Sequence, residues 1–209
     1  DVVYVGFPSQ SMVILARFLT RKVIFMDALY SMYDTIINDR NMLSRWHPYV
    51  WVMTVLDWIS IRLATKIVVD TEAHAEYWKN SWGAAAEKLV VIPVGSSTQK
   101  YYPAESLREG NEFVVHFHGT YIPLQGVALI LRAAAHLVDC PDIRFQLVGT
   151  GQTYPQALQL SKELRLKNVT FIERVSISEL NEYINAADVV LGIFGDTAKA
   201  TRVVPNKLY

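Results

Sequence analysis

The chain has 209 residues, 51% of them hydrophobic, with 20 basic and 20 acidic side chains and no formal net charge. That length admits one large domain or two small ones with ample core, and the charge balance removes any electrostatic case for nucleic acid as a partner. The single cysteine, Cys140, excludes an internal disulfide and fits a reducing, cytoplasmic setting.

Residues 2–6 (VVYVG) read as a short buried strand, Pro8 to Ser11 as a loop and cap, and MVILARFLT as an amphipathic helix. Val23 to Met26 form the next strand, ending at Asp27. Residues 28–49 mix polar side chains with aromatics without a period and read as irregular, the kind of segment that faces a substrate. The most apolar stretch, 50–70, is interrupted by Asp57, Arg62 and Lys66. It therefore lacks the ~20 clean apolar residues of a spanning helix. It predicts a buried helix over 50–64 and a strand over 66–69 that ends at Asp70. Thr71 caps the helix EAHAEYWKNSW, and Leu89 to Ile92 form a strand stopped by Pro93. The succession βαβαβαβ predicts a parallel, three-layer half.

Residues 96–112 shift abruptly to polar residues with Gly, Pro and Ser, a linker between one domain over 1–95 and another over 113–209. The second half restarts the alternation: strands at 113–117, 143–148, 169–172 and 188–193, helices at 126–138, 155–165 and 178–187. Its first unit, FVVHFHGTYIPLQGV, runs from a buried strand through Gly119 and Thr120 to a helix opened by Gly126. IRFQLV followed by Gly149-Thr150-Gly151 repeats the arrangement. A strand, a glycine turn and a helix start present amide groups to an anion, and consecutive turns of this kind share one edge of a parallel sheet. The opening DVVYVGFP and the ending PNKLY both read as the middle of a domain, so the sequence reads as cut at both ends.

Several residues are chemical candidates, each with a plainer reading beside it. Gly149 and Gly151, with Glu173 ending the next strand, half-match a dinucleotide fingerprint, but Tyr154 stands where its third glycine belongs. A tight turn without a ligand accounts for them equally well. His116 and His118 share one strand face; packing competes with a ligand contact at His118, and no third metal ligand is evident. Asp27 and Asp70 end strands on the binding edge or cap loops. Lys199, Arg202 and Lys207 fall within nine positions beside Gly195-Asp196 and a helix start at Pro205, which suits a diphosphate or else an ordinary solvated loop.

The pieces HGTYIPLQGV, FQLVGTGQTY, NVTFIERVSISEL, AADVVLGIF and RVVPNKLY together resemble the nucleotide-binding domain of GT-B glycosyltransferases. The resemblance is to the large retaining family that includes bacterial α-mannosyltransferases and sucrose-synthase-like enzymes. DTEAHAEYW and LVVIPVGSSTQKYYP resemble the back part of that family's N-terminal domain. The resemblance implies two Rossmann-like α/β domains, each a parallel sheet flanked by helices and each incomplete here. It implies transfer of a sugar from a nucleotide-sugar donor to a glycan or lipid-linked acceptor with retention of configuration, without cofactor or bound metal. The setting it implies is cell-envelope or polysaccharide biosynthesis of bacterial type.

By the same resemblance, Gly119 and Thr120 lie by the donor phosphates, Gly149 and Gly151 border the nucleoside, and Arg174 lies near the base. Gly195, Asp196, Asn206 and Lys207 hold the sugar and diphosphate, and Asp27 faces acceptor or sugar from the first domain. Thr120 and Gln125 stand where many members carry cations, and Arg202 stands at the first of two usual glutamates, so Arg202 and Lys207 would take over the charge. The apolar helix at 50–64 and the aromatics at 28–51 would suit a lipid-linked acceptor or contact with the inner face of a membrane, against ordinary core packing. Two other readings stay open: an NAD-dependent oxidoreductase using Gly149, Gly151 and Glu173, and a nonenzymatic nucleotide- or sugar-binding module. The fragment alone is expected to be inactive or unstable.

Overall fold

The computed structural model describes residues 1–105 and 110–208. Residues 106–109, inside the expected linker, and residue 209, the end of the expected second domain, lie outside the described residues. The chain forms two compact units, Asp1–Val94 with Thr197–Val204, and Gly95–Asp196 with Pro205–Tyr209. Each is built on four parallel strands flanked by helices, the α/β class read from the sequence.

The first unit runs β1 (Val2–Val5), α1 (Gln10–Leu19), β2 (Val23–Asp27), α2 (Pro48–Leu63), β3 (Lys66–Val69), α3 (Glu72–Trp82) and β4 (Leu89–Val91), with strand order β1-β2-β3-β4. Ile24, Met26, Ile67 and Val69 point from alternate strand positions into a core closed by Val13, Ile61 and Trp78. Thr71 accepts from the amide of His74 to start α3, and Gly83 ends it in the left-handed region. Inside the stretch expected to be irregular, Asp34–Asp39 is a π-helix. Asp57, fully buried on α2, holds the approach to it by accepting from Ser31 Oγ at 2.7 Å and from the amides of Tyr33 at 3.0 Å and Met32 at 3.1 Å. A buried carboxylate with several donors is satisfied without a cation, although burial still pushes its pKa up.

The second unit runs β5 (Phe113–His118), α4 (Val127–His136), β6 (Ile143–Val148), α5 (Tyr154–Glu163), β7 (Val169–Ile172), α6 (Ile177–Asn185) and β8 (Val189–Val190), in the order β7-β6-β5-β8. Phe117, Leu131, Leu147 and Tyr121 fill its core. Ser176 and Glu179 form a capping box that starts α6. β8 is two residues long rather than the expected six; farther on, the amides of Phe194 and Gly195 donate to Gln125 O and Leu124 O in the turn before α4.

Two boundaries differ from the sequence reading. The stretch from Gly95 groups with the second unit, where Asn181 and Asn185 of α6 hold the backbone of Tyr102 and Ala104. The segment Thr197–Val204, expected inside the second domain, groups with the first unit, and the chain returns at Pro205. Hydrogen bonds from Thr197 to Asp39 and from Lys199 to Thr35 seat it on the π-helix.

Candidate functional site

Three turns meet at the C-terminal edge of the second unit's sheet, where open α/β sheets receive ligands. The amide of Gly119 donates to Val148 O at 3.0 Å, that of Tyr121 to Thr150 O at 3.0 Å, and that of Thr153 to Tyr121 O at 3.0 Å. Gly149 has φ +132°, and a Cβ there would stand 2.0 Å from Gly119 O. The third turn is tied in the same way: the amide of Gly195 donates to Leu124 O at 3.1 Å, and a Cβ at Gly195 would meet that oxygen at 2.4 Å. The glycines at 149 and 195 are therefore demanded by turn-on-turn contact, and Gly151 packs likewise on Tyr121. This explains the GxG without a dinucleotide.

Lys207 is the charged centre of the group. A three-residue 3₁₀ turn, Asn206–Leu208, carries it rather than the longer helix start expected at Pro205. Its Nζ donates to Gln125 Oε1 at 2.7 Å, His118 O at 2.8 Å and Gly192 O at 3.3 Å, and stands 4.1 Å from the centre of the Phe117 ring. None of those acceptors carries a charge, so the ammonium is paired with dipoles alone. Burial pushes its pKa down to about 8. A Cβ on Gly119 would lie 3.3 Å from this Nζ, so the cation stands against the glycine turn itself. The N–H of Gly119 is used by Val148, whereas that of Thr120 has no partner among the described residues.

The remaining sequence candidates divide by unit. Thr120, Gly151, Arg174, Asp196 and Asn206 are exposed in the second unit, with Gly119, Gln125, Gly149 and Gly195 part-buried beside them. Asp27 belongs to the first unit, where its carboxylate accepts from Tyr4 Oη at 3.2 Å and from the amide of Leu29 at 3.2 Å, an Asx turn at the end of β2. Asp70 meets His74 Nδ1 at 2.7 Å.

Arg202, read from the sequence as a second cation with Lys207, belongs to the first unit, where its Nη2 meets Asp34 Oδ2 and its guanidinium lies 4.0 Å from the Tyr77 ring centre. Its charge is thereby matched within that unit. Asp34 was missed from sequence because nothing in a stretch without periodicity marks one acid among several polar residues. Asp57 offered a signal: a lone carboxylate in an otherwise apolar helix is either a surface interruption or the hub of a buried polar network.

Residues 112–194 match the family described as glycosyl transferases group 1. The match lies within the second unit. D-inositol 3-phosphate glycosyltransferase of Mycobacterium sp. (strain JLS) is 30% identical over 140 residues, covering 61% of this chain and 31% of that protein. The enzyme of the same name from Acidothermus cellulolyticus is 28% identical over 149 residues, covering 63% of this chain and 33% of that protein. The chain thus spans about a third of the length of the curated relatives it matches. Among solved structures, Anabaena Alr3699/HepE in complex with UDP and glucose aligns with a TM-score of 0.65 at 20% identity, over 91% of this chain and 51% of that one. WaaG, a glycosyltransferase involved in lipopolysaccharide biosynthesis, aligns with a TM-score of 0.62 at 16% identity, over 80% of this chain and 49% of that one. The fold is GT-B, as the sequence resemblance implied.

Proposed function

We propose that the protein transfers a sugar from a nucleoside-diphosphate donor to a glycan or lipid-linked acceptor, with retention of configuration. The observation that carries the reading is Lys207: a part-buried ammonium, with no counter-charge among the described residues, pressed against a glycine turn at the ligand edge of the sheet. As the glycosidic bond breaks, negative charge grows on the departing diphosphate. Lys207 Nζ and the free N–H of Thr120 are the donors aimed at it, with Asn206 and Asp196 beside them. One preorganised donor of this kind is worth about 3–4 kcal/mol of barrier. Gly149, Gly151 and Arg174 form the nucleoside side of the same edge. The charge duty first given jointly to Arg202 falls to Lys207 alone. Asp27 keeps the acceptor-side assignment in the first unit, and no cofactor takes part. The UDP held by the Anabaena neighbour supports a nucleoside diphosphate as the ligand class.

The first unit supports a peripheral membrane setting, at the inner face of the membrane. Met12, Leu15, Phe18 and Leu19 of α1 and Trp51, Val52, Val55 and Trp58 of α2 form exposed apolar stripes at helical spacing, and Trp46 beside them is 87% exposed. Across residues 7–26 and 40–66 the one carboxylate, Asp57, is buried, while Arg21, Arg45 and Arg62 are exposed. Tryptophan and arginine around an apolar face, without acids, are the composition of a surface that lies on anionic lipid. Among the described residues no helix is long and apolar enough to cross a membrane. Flotation with phosphatidylglycerol vesicles but not with phosphatidylcholine vesicles is the expected result; no flotation with either would remove this partner.

The catalytic reading is tested by incubating the intact protein with a panel of nucleotide sugars and measuring release of nucleoside diphosphate. Release from one donor is expected. Binding of NADH with no binding of any nucleotide sugar would replace the reading with the oxidoreductase one.

A further inference from the structure

A line of three side chains in the second unit ends at the proposed donor turn. His116 and His118 alternate on β5, on the face opposite Val115 and Phe117, and His116 stands in register with Gln146 on β6. Gln146 Oε1 lies 3.2 Å from His116 Nδ1, and His116 Nε2 lies 3.1 Å from His118 Nδ1. Tyr183 of α6 stacks on the His116 ring, with planes 9° apart. His116 is wholly buried, and His118 is part-buried and followed by Gly119.

The line has a direction. Burial and the nearby Lys207 charge push both imidazoles down to about 4, so each is neutral near pH 7 and carries a single N–H. An amide oxygen only accepts. His116 therefore keeps its proton on Nδ1 and offers Nε2 as an acceptor. His118 must then carry its own proton on Nδ1, which leaves Nε2 with a lone pair. That Nε2 has no hydrogen-bond partner among the described residues and is not sealed from solvent. The backbone oxygen of the same residue accepts from Lys207 at 2.8 Å.

We infer that His118 Nε2 accepts a hydrogen bond from a hydroxyl of the donor's sugar, with His116 and Gln146 as positioning residues that fix its tautomer. The inference rests on the nucleotide-sugar reading of this edge and adds to it which residue touches the sugar. The chemistry separates the two neighbours: an ammonium takes the phosphate oxygens, which have few protons to give at neutral pH, while a bare imidazole nitrogen takes an O–H. A metal role is not needed for either histidine, since each already has its partner along the line.

Two measurements on the intact protein test this. In the ¹⁵N-labelled protein at pH 7, both imidazoles should show the Nδ1–H tautomer, and Gln146→Leu should let that pattern change at His118. A proton on Nε2 of His118 would mean that the line runs the other way and would overturn the inference. Calorimetry with UDP and UDP-glucose is the second measurement. His118→Phe should weaken UDP-glucose about tenfold, the scale of one hydrogen bond, and leave UDP within about twofold. His118→Gln, whose amide oxygen reaches the Nε2 position, should recover most of the loss. Equal weakening of both ligands would overturn the sugar contact. Expected tautomers with no binding of UDP or of any other nucleoside diphosphate by the wild-type protein would instead overturn the donor reading, and the sugar contact with it.

Discussion

Asp34 Oδ2 and Arg202 Nη2 lie 2.5 Å apart inside the first unit, although 168 positions separate them in the chain. Their side chains are 6% and 14% exposed. Around the pair, Thr71 Oγ1 donates to Arg202 O, Lys199 Nζ donates to Thr35 Oγ1 at 3.0 Å, and the guanidinium covers Tyr77. The segment Thr197–Val204 is thus anchored to the π-helix by a buried ionic contact rather than by apolar packing. A buried ion pair adds little over an apolar isostere, but breaking one strands a charge. Asp34→Asn should therefore cost about 3–5 kcal/mol in chemical denaturation, and Asp34→Leu combined with Arg202→Met should recover much of it. An unchanged midpoint for Asp34→Asn would show that the pair is not held in solution.

Gly149 is the tightest point of the candidate site. Its φ of +132° and the 2.0 Å approach of Gly119 O to a built Cβ mean that any side chain must drive the two turns apart. Gly149→Ala should cost at least about 2 kcal/mol and lower affinity for a nucleoside diphosphate as well, because the displaced turn is the one against Lys207. Thermal unfolding and calorimetry on the same sample check both effects. Lost affinity at full stability would place Gly149 in ligand contact instead.

Lys207 gives a pH signature. Its folded pKa is pushed down to about 8 from the usual 10.5, so the free protein loses this charge as pH rises through 8. An anion binds the protonated form, and affinity for UDP should fall by up to about tenfold per pH unit above 8. The stability linkage has the opposite sense. The buried ammonium is disfavoured in the folded state, so this group's contribution is present above 10.5 and is lost as pH falls from 10.5 toward 8. A pH-independent UDP affinity between 7 and 9.5 would rule out Lys207 as the titrating contact.

Much of this was legible in the chain, for physical reasons that also mark the limits. The β/α alternation shows because each strand is a short apolar run and each helix has a stripe. Gly119 and Gly149 show because they interrupt those runs at the right place. Their contact with each other was not legible, since spacing along the chain carries no information about which turns touch. Lys199, Arg202 and Lys207 looked like one cluster because they are close in sequence. Lys199 and Arg202 belong to the first unit and Lys207 to the second. The π-helix at 34–39 was invisible because its five-residue bonding leaves no familiar period. The histidine line needed β6 to bring Gln146 opposite His116, a register that no local pattern fixes.

Calorimetric titration of UDP into the wild-type protein and into Lys207→Met bears most directly on the phosphate role of the turn at Gly119. Methionine keeps the length and apolar stem of the lysine while removing its charge. Saturable binding by the wild type, weakened at least about tenfold in Lys207→Met with the unfolding midpoint preserved, is the predicted result. Equal affinity in the two proteins would contradict it.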